Sequence, residues 1–156
     1  MHLGKLLTTT HIVPFMQAEE HWPAIQELVD HLDHHGLLQR SCKDQVLSAL
    51  HQREEVTSTG IGSGVAIPHA FCPEIDEVVA VFGRSQQGIE FGAIDNSPVR
   101  YIMLFIVPSS QYHLHLQTLA AIAKMFNNCD IRKALSRAES EEEILDVLAQ
   151  RTCRVA

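Results

Sequence analysis

Between Thr57 and Ala70 the chain reads Thr-Ser-Thr-Gly-Ile-Gly-Ser-Gly-Val-Ala-Ile-Pro-His-Ala. Three glycines at alternate positions, Gly60, Gly62 and Gly64, favour turns and close backbone approach and exclude a helix. Val65-Ala66-Ile67 reads as a brief buried strand, which Pro68 ends by removing a backbone donor. His69 is thereby expected at a strand end, where a rigid scaffold hands over to a loop and reactive side chains are often found. A reactive imidazole and an ordinary hydrogen-bonded turn histidine both fit this stretch, which does not choose between them.

Other chemistries can be weighed against the same residues. The dinucleotide pattern Gly-x-Gly-x-x-Gly fails at Val65, and no Gly-Lys-Ser/Thr is present for a nucleotide phosphate loop. A backbone nest for a single phosphoryl group stays open. His69, His113 and His115, with Cys72 or Asp76, form the one set to test for a metal. His113 and His115 fall on an expected helix, where residues two apart do not face each other, and zinc-ligand spacings are absent, so no metal is expected. A serine hydrolase would need a Gly-x-Ser-x-Gly elbow, which the chain lacks. His2, His11, His21, His31, His34, His35 and His51 fall mostly on polar faces or element ends and are expected at the solvated surface.

The totals bound the rest. A chain of 156 residues with 46% hydrophobic and 20% charged content suits one globular domain spanning 1–156. A net charge of −7 argues against nucleic acid and leaves room for a basic protein partner. Cys42, Cys72, Cys129 and Cys153 are scattered and are expected to be reduced and structural. The longest apolar runs are too short for a bilayer, and the first residues lack a signal-peptide pattern. The expected location is cytoplasmic, with no membrane insertion.

These residues must be positioned by the elements around them. Residues 3–17 read as irregular, interrupted by Pro14. Trp22, Ile25, Leu28, Val29 and Leu32 mark a helix over about Ala18–His35, stopped by Gly36. Ser41 and Asp44 open a second helix as in a capping box, with Val46, Leu47 and Leu50 inward and Arg53 continuing that stripe near its end. An arginine there commonly snorkels to water or pairs with Glu54 or Glu55. Val78–Phe82 and Val99–Val107 are strands, with Gly88–Phe91 a shorter one. The second of these, almost wholly apolar, predicts a central strand covered on both faces. Ser109 and Ser110 are expected to cap a helix over about Gln111–Asn127, with Leu116, Leu119, Ala120 and Ala123 inward. His115 shares a face with Leu119, Ile122 and Phe126, near the helix start where free N–H groups favour anions. Ser140 and Glu143 start a final helix, with Ile144, Val147 and Leu148 inward. The order predicts a single layered α/β domain, a mixed sheet flanked by helices on both faces.

The run Arg53-Glu54-Glu55-x-x-Ser58-Thr59-Gly60-Ile61-Gly62-x-Gly64-Val65-Ala66-Ile67-Pro68-His69-Ala70 resembles the signature of enzyme IIA domains of the bacterial phosphoenolpyruvate-dependent phosphotransferase system. The likeness is to the fructose/mannitol class, which includes nitrogen-regulatory members. It extends from Leu6-Leu7 through Gly88-Ile89-x-Phe91, Pro98-Val99 and His115-Leu-Gln-Thr-Leu to the last helix. The resemblance implies that His69 accepts a phosphoryl group from the phosphocarrier protein HPr or a paralogue. It also implies that His115 assists at that group and that Arg53 is the family's arginine. His113 has no assigned counterpart, and Glu19-Glu20-His21-Trp22 is unusual for the family.

The implied chemistry is sound in itself. A neutral imidazole accepts and releases phosphoryl groups, and positioning with charge stabilisation carries such a transfer. Arg53 could neutralise phosphoryl oxygens, His115 could donate to them, and Thr59, Gly60, Ser63 and Gly64 could support the group. No cofactor is needed. The resemblance leaves two roles: passing the group to a cysteine of a IIB domain, or using the phosphorylated state as a signal to a regulatory protein target. The absence of a fused IIB segment favours the second slightly. A metal-dependent hydrolase is the remote alternative.

Overall fold

The computed structural model describes residues 3–39 and 42–152; Ser41, His2 and Cys153 lie outside them. The N-terminal stretch is not irregular as expected. Leu3–Leu6 forms one helical turn (α1), Thr9–His11 a 3-10 turn and Ile12–Val13 a short strand (β1). Each is too short for periodicity to reveal and is held by tertiary contacts. Leu3 and Leu7 are buried, the ring Nδ1 of His11 accepts from the Thr8 N–H at 3.0 Å, and Ile12 lies opposite Phe82 in a parallel pairing.

The next helix, α2, spans His21–His34 and buries Ala24, Ile25, Leu28, Val29 and Leu32. It starts later than the expected Ala18. The Glu27 carboxylate accepts from the N–H groups of Gln17 at 3.0 Å and Ala18 at 2.8 Å, and the Glu90 N–H donates to the Glu19 carbonyl at 2.8 Å, which holds those residues extended. α3 spans Lys43–Val56 with Val46 and Leu50 buried.

Two long strands form the spine of a six-stranded sheet. β5 (Val79–Ile89) takes in the Gly88-Ile89 pair expected as a separate strand, and runs antiparallel to β6 (Val99–Pro108). β1 lies outside β5. The other flank of β6 is shared by two short parallel strands, β3 (Val65–Ala66), opposite Tyr101 and Ile102, and β4 (His69–Cys72), opposite Phe105 to Pro108. β2 (Gly60–Gly62) closes a hairpin with β3.

Residues alternate between two cores along this flank, as a pleat requires. Val65, Ile67 and Phe71 face one layer with residues of α1 and of the helices that follow β6, α4 (Tyr112–Phe126), α5 (Cys129–Arg137) and α6 (Glu141–Thr152). Ala66, Ala70 and Cys72 face the other with residues of α2 and α3. The mixed sheet with helices on both faces is as expected.

After β6 the chain makes a 3-10 turn, Ser109–Gln111, and then α4, Tyr112–Phe126. Ser109 and Ser110 lie in that turn and do not cap the helix; Gln111 stands at its start without a side-chain cap. The inward face is His115, Leu119, Ile122, Met125 and Phe126. Leu116, expected inward, is 41% exposed, because the stripe is phased on His115. A further helix, α5 (Cys129–Arg137), begins after an Asn128 cap that accepts from the Asp130 N–H. With nine residues and only Ile131 and Leu135 buried, it is too short for a stripe count to single out. The Ser140 hydroxyl accepts from the Glu143 N–H at 3.1 Å, starting α6, Glu141–Thr152, as expected.

Candidate functional site

Pro68 breaks the ladder between β3 and β4 without releasing the chain, since its carbonyl accepts from the Phe105 N–H at 2.9 Å. His69 therefore opens a strand; it does not end one before a loop as expected. Both sides of the break are registered on the same neighbour, β6, so the backbone beneath the imidazole is fixed. The ring is half-buried, and its Nδ1 lies 2.9 Å from the Ile67 carbonyl oxygen. A carbonyl only accepts, so Nδ1 carries the proton and Nε2 keeps its lone pair. Burial, the largest cause, holds the imidazole below its ordinary pKa; the Ile67 carbonyl opposes this, the Arg53 charge adds to it and the Glu54 carboxylate opposes it. The group is neutral near pH 7 with one nitrogen available.

Two helices reach β4, the strand that carries His69. α3 packs along β4 and brings Arg53 and Glu54, at its end, within electrostatic reach of the imidazole. Arg53 neither pairs with Glu54 or Glu55 nor only snorkels: its Nη1 donates to the Thr57 carbonyl at 2.9 Å, which steers the guanidinium along the loop that leads to β2. α4 contributes from the other layer. Phe71 shares the face of His69 on β4, and its ring lies 4.6 Å from that of Tyr112 in the first turn of α4. One turn on, His115 is 6% exposed and points into the same layer as Leu119 and Phe126. Its Nε2 lies 2.9 Å from Gln111 Oε1, while Nδ1 is buried with no partner. Burial holds His115 below the ordinary histidine pKa.

Glu54 is the residue the sequence reading undervalued. Its side chain is 5% exposed and collects three donors. The His21 Nε2 lies 2.7 Å from Oε2, the Thr59 N–H donates to Oε2 at 3.1 Å, and the Thr59 hydroxyl makes a short bond to Oε1. His21, expected at the surface, instead packs its ring 4.0 Å from that of Phe91. The chain of contacts continues inward, because the Thr59 carbonyl accepts from the Ile67 N–H at 3.0 Å and Ile67 holds His69. The odd His21 and the Glu54 beside Arg53 were the available signals; their pairing joins positions 33 residues apart.

The glycine loop corrects another expectation. Thr59 gives both donors to Glu54, so it supports Glu54 and offers no free hydroxyl. Gly60 is needed for close packing, since a Cβ there would lie 2.8 Å from Ala93. Ser63 and Gly64, with φ of 58° and 80°, form the tip of the β2–β3 hairpin. The Gly64 carbonyl accepts from the Arg100 N–H, five residues along β6 from Phe105, the partner of His69. That is about 16 Å at the usual strand rise, so Ser63 and Gly64 do not attend His69.

The remaining candidates fall elsewhere. His113 is exposed on α4. Cys72 is buried in the opposite layer, and burial pushes its thiol up to about 11. Among the described residues no three His, Cys, Asp or Glu side chains come together to hold a metal ion. No described helix is long and apolar enough to cross a membrane.

Comparison with known proteins fits this geometry. The family model described as "Phosphoenolpyruvate-dependent sugar phosphotransferase system, EIIA 2" matches residues 5–151. A "PTS system fructose-specific EIIA component" of Haloferax volcanii is 37% identical over 108 residues, 69% of this chain and 70% of that one. A "Nitrogen regulatory protein" of Bradyrhizobium diazoefficiens is 31% identical over 149 residues, 96% of this chain and 95% of that one. The crystal structure of nitrogen regulatory protein IIA-Ntr from Neisseria meningitidis superposes with a TM-score of 0.85 at 31% identity, covering 94% of this chain and 98% of that one.

Proposed function

The chain belongs to the EIIA 2 family of the phosphoenolpyruvate-dependent sugar phosphotransferase system, and from that premise we propose that it carries a phosphoryl group on Nε2 of His69. The observation that carries this reading is the bond from His69 Nδ1–H to the Ile67 carbonyl, which leaves Nε2 as a neutral, oriented nucleophile. In the forward step the Nε2 lone pair forms the new N–P bond as the bond between phosphorus and the donor breaks. The donor keeps that electron pair, and Nδ1 keeps its proton. The positive character that the ring gains is held by the Ile67 carbonyl.

Arg53 stabilises charge on the phosphoryl oxygens through its planar fork of donors. His115 assists from the α4 side: as a phosphoryl dianion arrives, its unpartnered Nδ1 takes up a proton from solvent and donates it in a hydrogen bond to the phosphoryl oxygen. Little covalent work is left to the protein, so position and charge carry the rate. The donor is HPr or a paralogue, and the onward acceptor is a cysteine of a IIB domain.

A second reading, a regulatory module whose target binding is gated by the phosphorylated state of His69, is favoured by one observation. The relative and the solved structure named as nitrogen regulatory proteins match almost end to end. The two readings share the first step and differ in the fate of the phosphoryl group. Incubating the protein with phosphoenolpyruvate, enzyme I and HPr, then with a IIB domain, tests both. Onward transfer supports the carrier, and stable phosphorylation with no transfer supports the regulator.

A further inference from the structure

At the opposite end of β6 from His69 the protein has a polar cavity of about 510 Å³. Three arginines line it, Arg84, Arg100 and Arg137, with Ser85, Ser136 and the rings of Phe15 and Tyr101. Arg84 pairs with Tyr101 across the sheet, four residues along β6 from the partner of His69, or about 13 Å at the usual strand rise.

Arg84 is 6% exposed, and a guanidinium cannot shed its charge in a protein. Its partners are all neutral: Nε donates to the Pro14 carbonyl at 3.2 Å, and Nη1 to those of Leu135 at 2.8 Å and Ala138 at 2.6 Å. The Phe15 ring lies 5.7 Å from the guanidinium carbon. Those carbonyls include the end of α5, whose dipole offsets part of the charge. Arg100 Nη1 likewise donates to a carbonyl, that of Gln86. Among the described residues none of the three arginines has a carboxylate within ion-pair distance, although the chain as a whole carries a net charge of −7. Glu139 lines the cavity without pairing. Ser85 is buried, and its hydroxyl oxygen accepts from the Gly88 N–H at 3.1 Å, which leaves its own proton to donate.

A buried charge that is not paired is costly, and with two more guanidiniums on the same wall the cavity calls for an anion. We propose that this cavity binds the phosphate group of a small organic phosphate. The guanidinium forks and the Ser85 hydroxyl take the phosphate oxygens, and the exposed Phe15 ring and Tyr101 take the organic body. Forks of donors suit phosphate geometry, and the volume holds more than a bare ion. The proposal does not depend on the role of His69.

The test is a titration of the amide NMR signals of Ser85, Gln86 and Arg100 with glycerol 3-phosphate, with inorganic phosphate, and with chloride at matched ionic strength. Saturable shifts are expected with both phosphates, tighter for the organic one, and not with chloride. Arg100→Gln and Arg137→Gln change exposed side chains and leave the fold intact. Each is expected to weaken binding about tenfold or more, the usual loss for a hydrogen bond to a charged group. Arg84→Met is a poorer probe because Arg84 also holds α5. Equal affinity for inorganic phosphate would keep the site and discard the organic body. Shifts that fail to saturate, that chloride reproduces, or that persist unchanged in Arg100→Gln and Arg137→Gln overturn the proposal.

Discussion

The two ends of β6 carry opposite solutions to charge. At the end beside β4, two imidazoles are held neutral by burial, with the arginine of that end, Arg53, bonded to a loop carbonyl and within electrostatic reach of His69. At the other end three guanidiniums line one cavity without a carboxylate partner among the described residues. The first arrangement suits a group that must gain and lose charge as it works, because a neutral nitrogen is the nucleophile. The second suits a ligand that arrives charged and leaves unchanged. On the functions proposed above, one strand separates a place for transfer from a place for binding.

The sharpest way to break that contrast is His69→Ala. It is expected to abolish phosphoryl uptake, read by intact mass, while leaving the phosphate titration at Ser85 and Arg100 unchanged. Loss of both would mean that the two ends are one site. Next in size come Arg53→Gln and His115→Ala, each expected to slow uptake by about 10²- to 10³-fold, the range seen when one charge-stabilising donor is removed. Single-turnover rates would measure this, and Arg53→Lys should restore only part of the loss because it lacks the planar fork.

Glu54→Gln is a smaller change with a double signature. It replaces an anion that collects His21 and Thr59 by an amide, and a loss of about 1–3 kcal/mol in stability is expected from a denaturant midpoint. Because Thr59 leads through Ile67 to His69, the imidazole ¹⁵N shifts of His69 should also move toward a mixture of tautomers. A stability loss with an unchanged tautomer would confine Glu54 to the fold.

The gentlest probe is pH. His11, His69 and His115 are all held below the ordinary histidine value, burial being the first cause in each. Their folded pKa lies under the unfolded one, so the unfolded chain binds more protons as pH falls. Stability contributed by the neutral rings is complete above about pH 6.5 and declines as pH drops toward the folded values. Thermal melts between pH 8 and pH 5 should show that slope. His69→Ala and His115→Ala should flatten it, and a slope of the opposite sign would contradict the burial argument.

The sequence carried a good part of this. The helical stripes of α2 and α3, the central strand β6 and the Arg53-to-His69 run were legible because each is a local pattern with a strong period or an unusual composition. What stayed hidden was assembled across the chain. Past Pro68 the sequence reads as a loop, and His69–Cys72 is a strand only because β6 pairs with it as it does with β3. A hydrophobic count ranks Leu116 above His115 and turns it inward, yet the buried histidine sets the phase of α4. The resemblance makes Ser63 and Gly64 candidates to support the phosphoryl group, and the hairpin carries them away from His69. Glu54 and His21, and likewise Arg84, Arg100 and Arg137, come from separate elements, so no spacing rule joins them.

Nε2 of His69 is the nitrogen proposed to take the phosphoryl group. The most direct measurement is long-range ¹H–¹⁵N NMR of the imidazole before and after incubation with phosphoenolpyruvate, enzyme I and HPr. A neutral ring with its proton on Nδ1 is expected beforehand, and a phosphorus coupling at Nε2 afterwards. A proton on Nε2 in the free protein, or phosphorus on Nδ1 or on another residue, would contradict that assignment.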